Sequence, residues 1–372
     1  MTASSDVVIV GAGVIGCAVA YELVRRGASV RIVDDRPPGM GATQASAGVL
    51  APYIEARKGG PLLELTARSL DLFDAFVERV TSESGVPVQY QRTGTLDVAL
   101  QQASMRGFEV TADLLARRGI GAKLLDRSAV RSEEPQLSSA ALGGLLIPAH
   151  GFVAAAELTR ALVTAASARG AERIDHERVR RISRSGTDLV VETANRSHRA
   201  VAVVVAAGSW SGDIAIEGVA PHLSVRPVRG QLLQLQWCGP SLTRVIWGER
   251  CYVVPWQDGT VLVGATVEDA GFDERATVAG VGELLDAACE LLPATRTASF
   301  VSVKVGLRPA SADELPVIGP SVVLPTLVYA TCHYRNGILL APLTAQLVAD
   351  AVLQGTMDPV LELTRPQRFG QL

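Results

Sequence analysis

Gly11-Ala12-Gly13-Val14-Ile15-Gly16 sets three glycines at the spacing G-x-G-x-x-G, between the apolar run Val7-Val8-Ile9-Val10 and a helix-forming stretch. Those residue types suit a phosphate cradle. Gly11 permits a tight turn, Gly13 lets backbone approach a pyrophosphate, and Gly16 allows a helix to pack closely on a strand. The helix that follows presents free N–H groups and a positive dipole end to the phosphates. Asp34 ends the next strand, where a carboxylate can accept both ribose hydroxyls. An aspartate there disfavours a 2′-phosphate, and hence NADP, but leaves FAD and NAD open.

A second stretch bears on that choice. Residues 41–52, Gly-Ala-Thr-Gln-Ala-Ser-Ala-Gly-Val-Leu-Ala-Pro, form a run of small side chains after the second strand. Such a run lets backbone lie against a wide, flat ligand, as an isoalloxazine would require. An NAD-binding chain would normally pass from Asp34 straight into a helix. By composition alone the run reads equally well as an ordinary flexible loop.

The elements that must hold these residues are legible in the apolar spacing. A strand at 7–10, a helix over 14–26 stopped by Gly27, and a strand at 30–33 make a βαβ unit. Helical spacing recurs over 61–80, 108–118 and 154–169, and strands are expected at 95–100, 189–191 and 201–205. Between 225 and 304 the pattern changes to strands at 232–235, 251–254 and 261–263, divided by turns such as Asp258-Gly259 and interrupted by a helix at 281–292. This reads as a mostly antiparallel sheet inserted into a dinucleotide-type domain. The chain returns with a strand at 327–330 and a long helix over 337–352.

Composition bounds the rest. The 372 residues are 48% apolar and 20% charged with a net charge of −3, long enough for two domains and too apolar for disorder. The arginines are scattered, so no footprint for nucleic acid or anionic lipid is expected. Cys17, Cys238, Cys251, Cys289 and Cys332 are odd in number and widely spaced, which indicates neither a disulfide framework nor a metal site. Residues 1–5 lack a basic segment followed by an apolar one, and no long uninterrupted apolar span is evident. The expectation is a cytoplasmic protein with no membrane partner.

Together with motifs near the C-terminus, these residues resemble the D-amino acid oxidase superfamily of flavoproteins, in particular its glycine oxidase branch of the thiamine-pathway type. The matching stretches are 8–36, 42–52, 206–212, 227–231, 252–255, 264–268, 306–309, 315–320 and 333–345, in the family's order. The segment His-Tyr-Arg-Asn-Gly-Ile-Leu-Leu-Ala-Pro-Leu-Thr-Ala at 333–345 is the most specific. The resemblance implies an α/β (α+β) fold: a Rossmann-like FAD-binding domain, from 1–85, 145–224 and 305–372, with an inserted antiparallel-sheet substrate domain, from 86–144 and 225–304. It also implies oxidation of glycine or an N-substituted glycine to the imine by hydride transfer to flavin N5. Glyoxylate and ammonia or a freed amine would follow, with O2 reduced to H2O2. D-amino acid or sarcosine oxidases or dehydrogenases, and a non-catalytic flavin-binding module, are the competing readings. A homo-oligomer is expected.

The site residues follow from the same resemblance. Arg335 would clamp the substrate carboxylate bidentately, Tyr252 would add a hydroxyl to it, and Arg308, in Gly-Leu-Arg-Pro, would contact substrate. Each also has a plainer reading, as a salt-bridged arginine or a sheet-packing tyrosine. The cofactor set begins with Gly11, Gly13, Val14, Ile15 and Gly16, then Asp34, Asp35 and Arg36. It continues with Ala42, Thr43, Ala47, Gly48 and Val49, and with Val179, Gly208 and Trp210. The loop His333, Tyr334, Arg335, Asn336, Gly337, Ile338 and Leu339 would wrap the flavin. His333 is expected to order this loop rather than act as a base, and Trp210 to pack beneath the cofactor domain. With no cysteine in 310–315, the FAD is expected to be non-covalent. Departures from the pattern include Cys332 in place of a glycine and the extra cations Arg250 and Lys304. Those cations suggest a second carboxylate on the amine, or else are solvated surface residues.

Overall fold

The computed structural model describes residues 5–54, 61–219 and 223–372; residues 1–4 and Lys58 lie outside them. Apolar strands Ser5–Val10 and Val30–Val33 pair in parallel, with Val10 opposite Val33. On the other side of Ser5–Val10 lies Ser197–Val205, parallel and in register from Ser5–Ala200 to Val10–Val205. Leu327–Thr331 extends the parallel set beyond it, and Glu172–Ile174 extends it beyond Val30–Val33. Antiparallel strands Val179–Ser185 and Asp188–Thr193 complete much of this nine-stranded sheet. The parallel strands are buried on both faces, which is why they read as continuous valine and isoleucine runs.

Helices Val14–Arg25, Ala155–Ala168 and Gly337–Gln354 cover one face, the first packing on both of the others. Each fully buried aliphatic side chain here, such as Leu23 or Leu158, contributes about 1.5–3 kcal/mol. Among the described residues Gly337–Gln354 is the one helix long and apolar enough to cross a membrane, but most of it is core of this layer. Helical spacing over 61–80 resolves into two helices, Pro61–Asp71 and Phe73–Ser84, meeting at Leu72. They pack against different partners: the first lies on Gly337–Gln354 and the second on Ala155–Ala168. One straight helix could not meet both.

The second sheet has eight strands in the order Ser299–Ala310, Arg226–Gln236, Thr260–Gly264, Tyr252–Pro255, Val245–Trp247, Thr95–Ala99, Gly143–Ile147 and Lys123–Asp126. All neighbours are antiparallel except Val245–Trp247 with Thr95–Ala99. The fold is thus the Rossmann-like cofactor layer with an inserted, mostly antiparallel sheet. Strand Ser299–Ala310 runs unbroken across residues 304 and 305, from the exposed edge of this sheet into the space between the two layers. All five cysteines are free, and no group of His, Cys, Asp and Glu suited to a metal occurs among the described residues.

Candidate active site

The C-terminal ends of the parallel strands converge on one cavity. At its floor Gly11 takes φ +110°, and a Cβ there would strike the Ala206 carbonyl. Gly16 sits behind the loop against the Gly11 carbonyl, so its role is packing. At Gly13, by contrast, a Cβ would meet only Thr43 Oγ1, at 3.6 Å. Open space in front of Gly13 and an N-terminus capped by no side chain make a cradle of backbone donors.

Asp34 accepts N–H bonds from Ala12 at 2.5 Å and Arg36 at 2.8 Å, one on each carboxylate oxygen. A carboxylate has about four acceptor positions, so both oxygens keep capacity for a diol. Burial raises its pKa to about 6, although the two amide bonds pull the other way. Arg36 forms a bidentate pair with Glu274, at 2.9 Å on each side. Its guanidinium also lies 4.3 Å from the centroid of the Trp210 ring. Trp210 therefore does not pack beneath the domain as expected: it is half-buried, lines the cavity and carries a cation on its face.

The small-residue run forms the next wall. Thr43 Oγ1 accepts the Val14 N–H at 3.1 Å, tying the run to the phosphate loop. Gly48 has φ +68° and leaves no room for a Cβ against the Val153 carbonyl. Ala42, Ala47 and Val49 line the same wall, and Ile15, Asp35, Val179 and Gly208 also reach the cavity. Of the expected cofactor set, all but Gly16 line this one space.

The opposite wall is the loop before helix Gly337–Gln354. Cys332 and Tyr334 adopt φ +58° and +48°, left-handed backbone that favours glycine. His333 is buried, with Nε2 3.0 Å from Thr344 Oγ1, and burial drives its pKa down to about 3. Its bond to Thr344 makes it a loop anchor, and burial disfavours its charged form. Asn336, Gly337, Ile338 and Leu339 bring the helix N-terminus to the cavity, again without a side-chain cap.

Three groups from different elements meet at the far end: Tyr252, Arg308 and Arg335. Burial pushes the Tyr252 phenol upward, while the guanidiniums of Arg308 and Arg335 oppose that shift. Arg308 donates to the Thr266 carbonyl at 3.0 Å, and burial lowers its pKa. Arg335 is exposed toward the cavity, with Nη2 3.4 Å from the Tyr334 hydroxyl. Among the described residues the acids on the cavity lining are Asp34, Asp35, Glu177 and Asp213. Glu177 donates its N–H to the Asp34 carbonyl at 3.0 Å, and Asp213 pairs with Arg178 at 3.0 Å.

Arg250 and Lys304 are not brought to this place. Arg250 pairs with Glu290 at 3.4 Å on the surface, and Lys304 borders a separate shallow depression beside Arg36 and Glu274. Trp247, Ile54 and Val267 line the cavity and were missed by sequence reasoning. Trp247 could have been noticed as the aromatic end of the apolar run Val245-Ile246-Trp247, five residues before Tyr252.

Known proteins share this arrangement. A family model described as FAD dependent oxidoreductase matches residues 6–351. The glycine oxidase of Geobacillus kaustophilus is 36% identical over 361 residues, 95% of this chain and 94% of that one. The crystal structure of glycine oxidase from Geobacillus kaustophilus superposes with a TM-score of 0.95 at 33% identity, covering 99% of each chain. That of an iminodiacetate oxidase from Chelativorans sp. BNC1 gives 0.89 at 26% identity, covering 97% of this chain and 98% of that one. FAD fits the residues present, because the open backbone at Gly13 and the spare acceptors of Asp34 face one continuous cavity. The chain belongs to the FAD dependent oxidoreductase family and is an FAD-dependent oxidoreductase of the glycine oxidase type.

Proposed function

We propose that this protein oxidises the amine of glycine or of an N-substituted glycine to the imine, which hydrolyses to glyoxylate and ammonia or a freed amine, with O2 reduced to H2O2. The observation that carries this reading is the meeting of Tyr252, Arg308 and Arg335 at one part of the cavity, two guanidiniums and a phenol from three different elements. Two cations beside a protonated phenol attract a carboxylate and disfavour an ammonium nearby, so the amine is taken as the free base.

FAD, bound non-covalently along the cavity by the cofactor unit, supplies the two-electron acceptor. The chain's own residues position the substrate. Arg335 takes the carboxylate with two N–H donors, and the Tyr252 hydroxyl, held protonated by burial, donates a third bond. Arg308 adds charge from the strand Ser299–Ala310. With the carboxylate fixed, the α-carbon is held at near-attack distance. Lone-pair donation by the amine makes a protein base unnecessary, in keeping with a neutral His333 tied to Thr344. The helix N-terminus at 336–339 favours negative charge developing on the far wall.

Likeness to an iminodiacetate oxidase supports keeping N-carboxymethyl amines within the substrate class. The test is anaerobic bleaching of the visible flavin band by glycine, sarcosine, D-alanine and iminodiacetate. Bleaching by any N-unsubstituted or N-substituted glycine supports the reading. A flavin-loaded protein bleached only by D-alanine, or by none of the panel, refutes it.

A further inference from the structure

We propose that Phe272 and Glu274, contributed by the segment that leaves the eight-stranded sheet, act with Arg36 and Trp210 as a clasp that retains FAD. Residues 265–277 link strand Thr260–Gly264 to the helix Val278–Leu291, and Ala265 and Val267 of this segment line the cavity. Two contacts fasten this segment to the cofactor layer. Glu274 holds the Arg36 guanidinium by two bonds of 2.9 Å, and the Phe272 ring lies 5.8 Å from the Trp210 ring, centroid to centroid. The Arg36 guanidinium also lies over the Trp210 ring, so the indole touches both the cation and the tilted Phe272 ring.

The segment is rigid at its own root. Arg229, only 7% exposed, donates to Glu268 at 2.6 and 3.1 Å and pairs with Asp273 at 3.1 Å. Gln231, wholly buried, donates to Glu268 and Thr277 at 2.9 and 2.8 Å and accepts the Thr277 N–H at 3.0 Å. A strap anchored this firmly at the substrate sheet has one free action, which is to hold or release the two residues at its far contacts. One of those residues, Arg36, touches the ribose acceptor. The Arg36 N–H is one of the two donors that set the Asp34 carboxylate, so Glu274 fixes the residue that fixes Asp34. Phe272 is 47% exposed and packs on a half-buried tryptophan that lines the cavity. As core such an arrangement is poor, but it makes a reversible cover.

The inference depends on FAD occupancy and not on which amine is oxidised, so it stands or falls separately from the substrate assignment. Holoenzymes of wild type, Glu274→Gln and Phe272→Ala are diluted into FAD-free buffer and release is followed by the rise in flavin fluorescence. Glu290→Gln, which breaks the remote pair with Arg250, serves as the control. Each clasp variant is expected to release FAD about three- to tenfold faster, the range set by a partly exposed ion pair or ring contact. Added salt should accelerate release less in Glu274→Gln than in wild type. Steady-state turnover of the Glu290→Gln control at saturating FAD should stay within about twofold of wild type, since that residue lies remote from the cavity. Release from both variants at the wild-type and control rate, at low and high salt, would overturn the proposal. So would a loss of turnover in saturating FAD with release unchanged.

Discussion

The Tyr252 ring lies against the Trp247 ring with centroids 4.9 Å apart, and its hydroxyl abuts Gly264, where a Cβ would stand 2.6 Å away. Packing thus locates the ring, and the proposed substrate bond falls to its hydroxyl. Tyr252→Phe keeps the stack and removes one donor. The expected cost is about 1 kcal/mol, a rise of roughly fivefold in KM for glycine with kcat little changed. Steady-state kinetics at saturating oxygen checks this; a collapse of kcat with unchanged KM would assign the hydroxyl to the chemical step instead.

Replacing Arg335 should cost far more. Arg335→Lys keeps the charge but loses the planar fork, and Arg335→Met loses both. KM for a carboxylate amine should rise about tenfold in the first and about a hundredfold or more in the second. Anaerobic titration of flavin bleaching gives the binding constants, and FAD content should be unaltered.

Asp34 carries the clearest pH signature. Its carboxyl titrates at about 6 because it is buried, above the usual carboxylate range. The native chain therefore takes up this proton first as pH falls, and what is lost is the acceptor for a diol rather than the fold. The FAD dissociation constant should rise as pH drops through about 6. Asp34→Asn should raise it about tenfold or more at neutral pH and abolish that step. Flavin fluorescence titration across the pH range is the measurement.

His333 and His150 bear on acid stability in the opposite sense. Both are buried, with pKa values driven down to about 3. The unfolded chain protonates them near 6.5, so the unfolded state binds more protons and stability is full above that value. It is lost as pH falls from about 6.5 toward 3. Melting curves of His333→Gln should show a shallower drop in Tm between about pH 7 and pH 5 than wild type. The kcat/KM profile should keep its shape, because His333 moves no proton in the reaction. Loss of one limb of that profile would make it a base after all.

Sequence reading found the parts of this molecule in which one local pattern suffices. The phosphate loop is a strand, three glycines and a helix in a row, so it could be placed without knowing what packs on it, whereas the contiguous loop 333–339 was placed by the family resemblance. The strand Val179–Ser185 was harder to see. Arg180, Arg181 and Arg184 interrupt its pattern, and only Val179 and Ile182 turn inward. The edge strand Ser299–Ala310 begins with exposed Phe300 and Val301, which blurs the alternation that marks a half-buried strand. Arg250 and Lys304 misled for a related reason. Neighbourhood in sequence to Tyr252 or Gly306 does not choose a side chain's surroundings: Arg250 precedes its strand and pairs with Glu290, and Lys304, though two residues from Gly306, borders the depression beside Arg36 and Glu274. Trp210 needed its long-range partners, Arg36 and Phe272, before it could be taken out of the core.

The seat of Arg308 supplies a prediction that separates geometry from charge. Val228 and Arg308 are opposed across the paired strands, and the guanidinium folds over the backbone at Gly230, donating to the Thr266 carbonyl at 3.0 Å. A Cβ at Gly230 would run into the guanidinium itself rather than into backbone. Gly230 has no positive φ, so alanine is compatible with the strand and the fold should survive. Gly230→Ala is then a way to displace Arg308 without removing its charge. If Arg308 acts only as a diffuse cation, KM should barely move. If its position matters, as the fixed bond to Thr266 indicates, KM should rise about tenfold, toward the value for Arg308→Met, while FAD affinity and Tm stay near wild type. Combining Gly230→Ala with Arg308→Met then adds nothing further to KM, and a double-mutant cycle on KM is the measurement that decides it. Additive losses would place the effect of Gly230 elsewhere, in the pairing of Arg226–Gln236 with Ser299–Ala310.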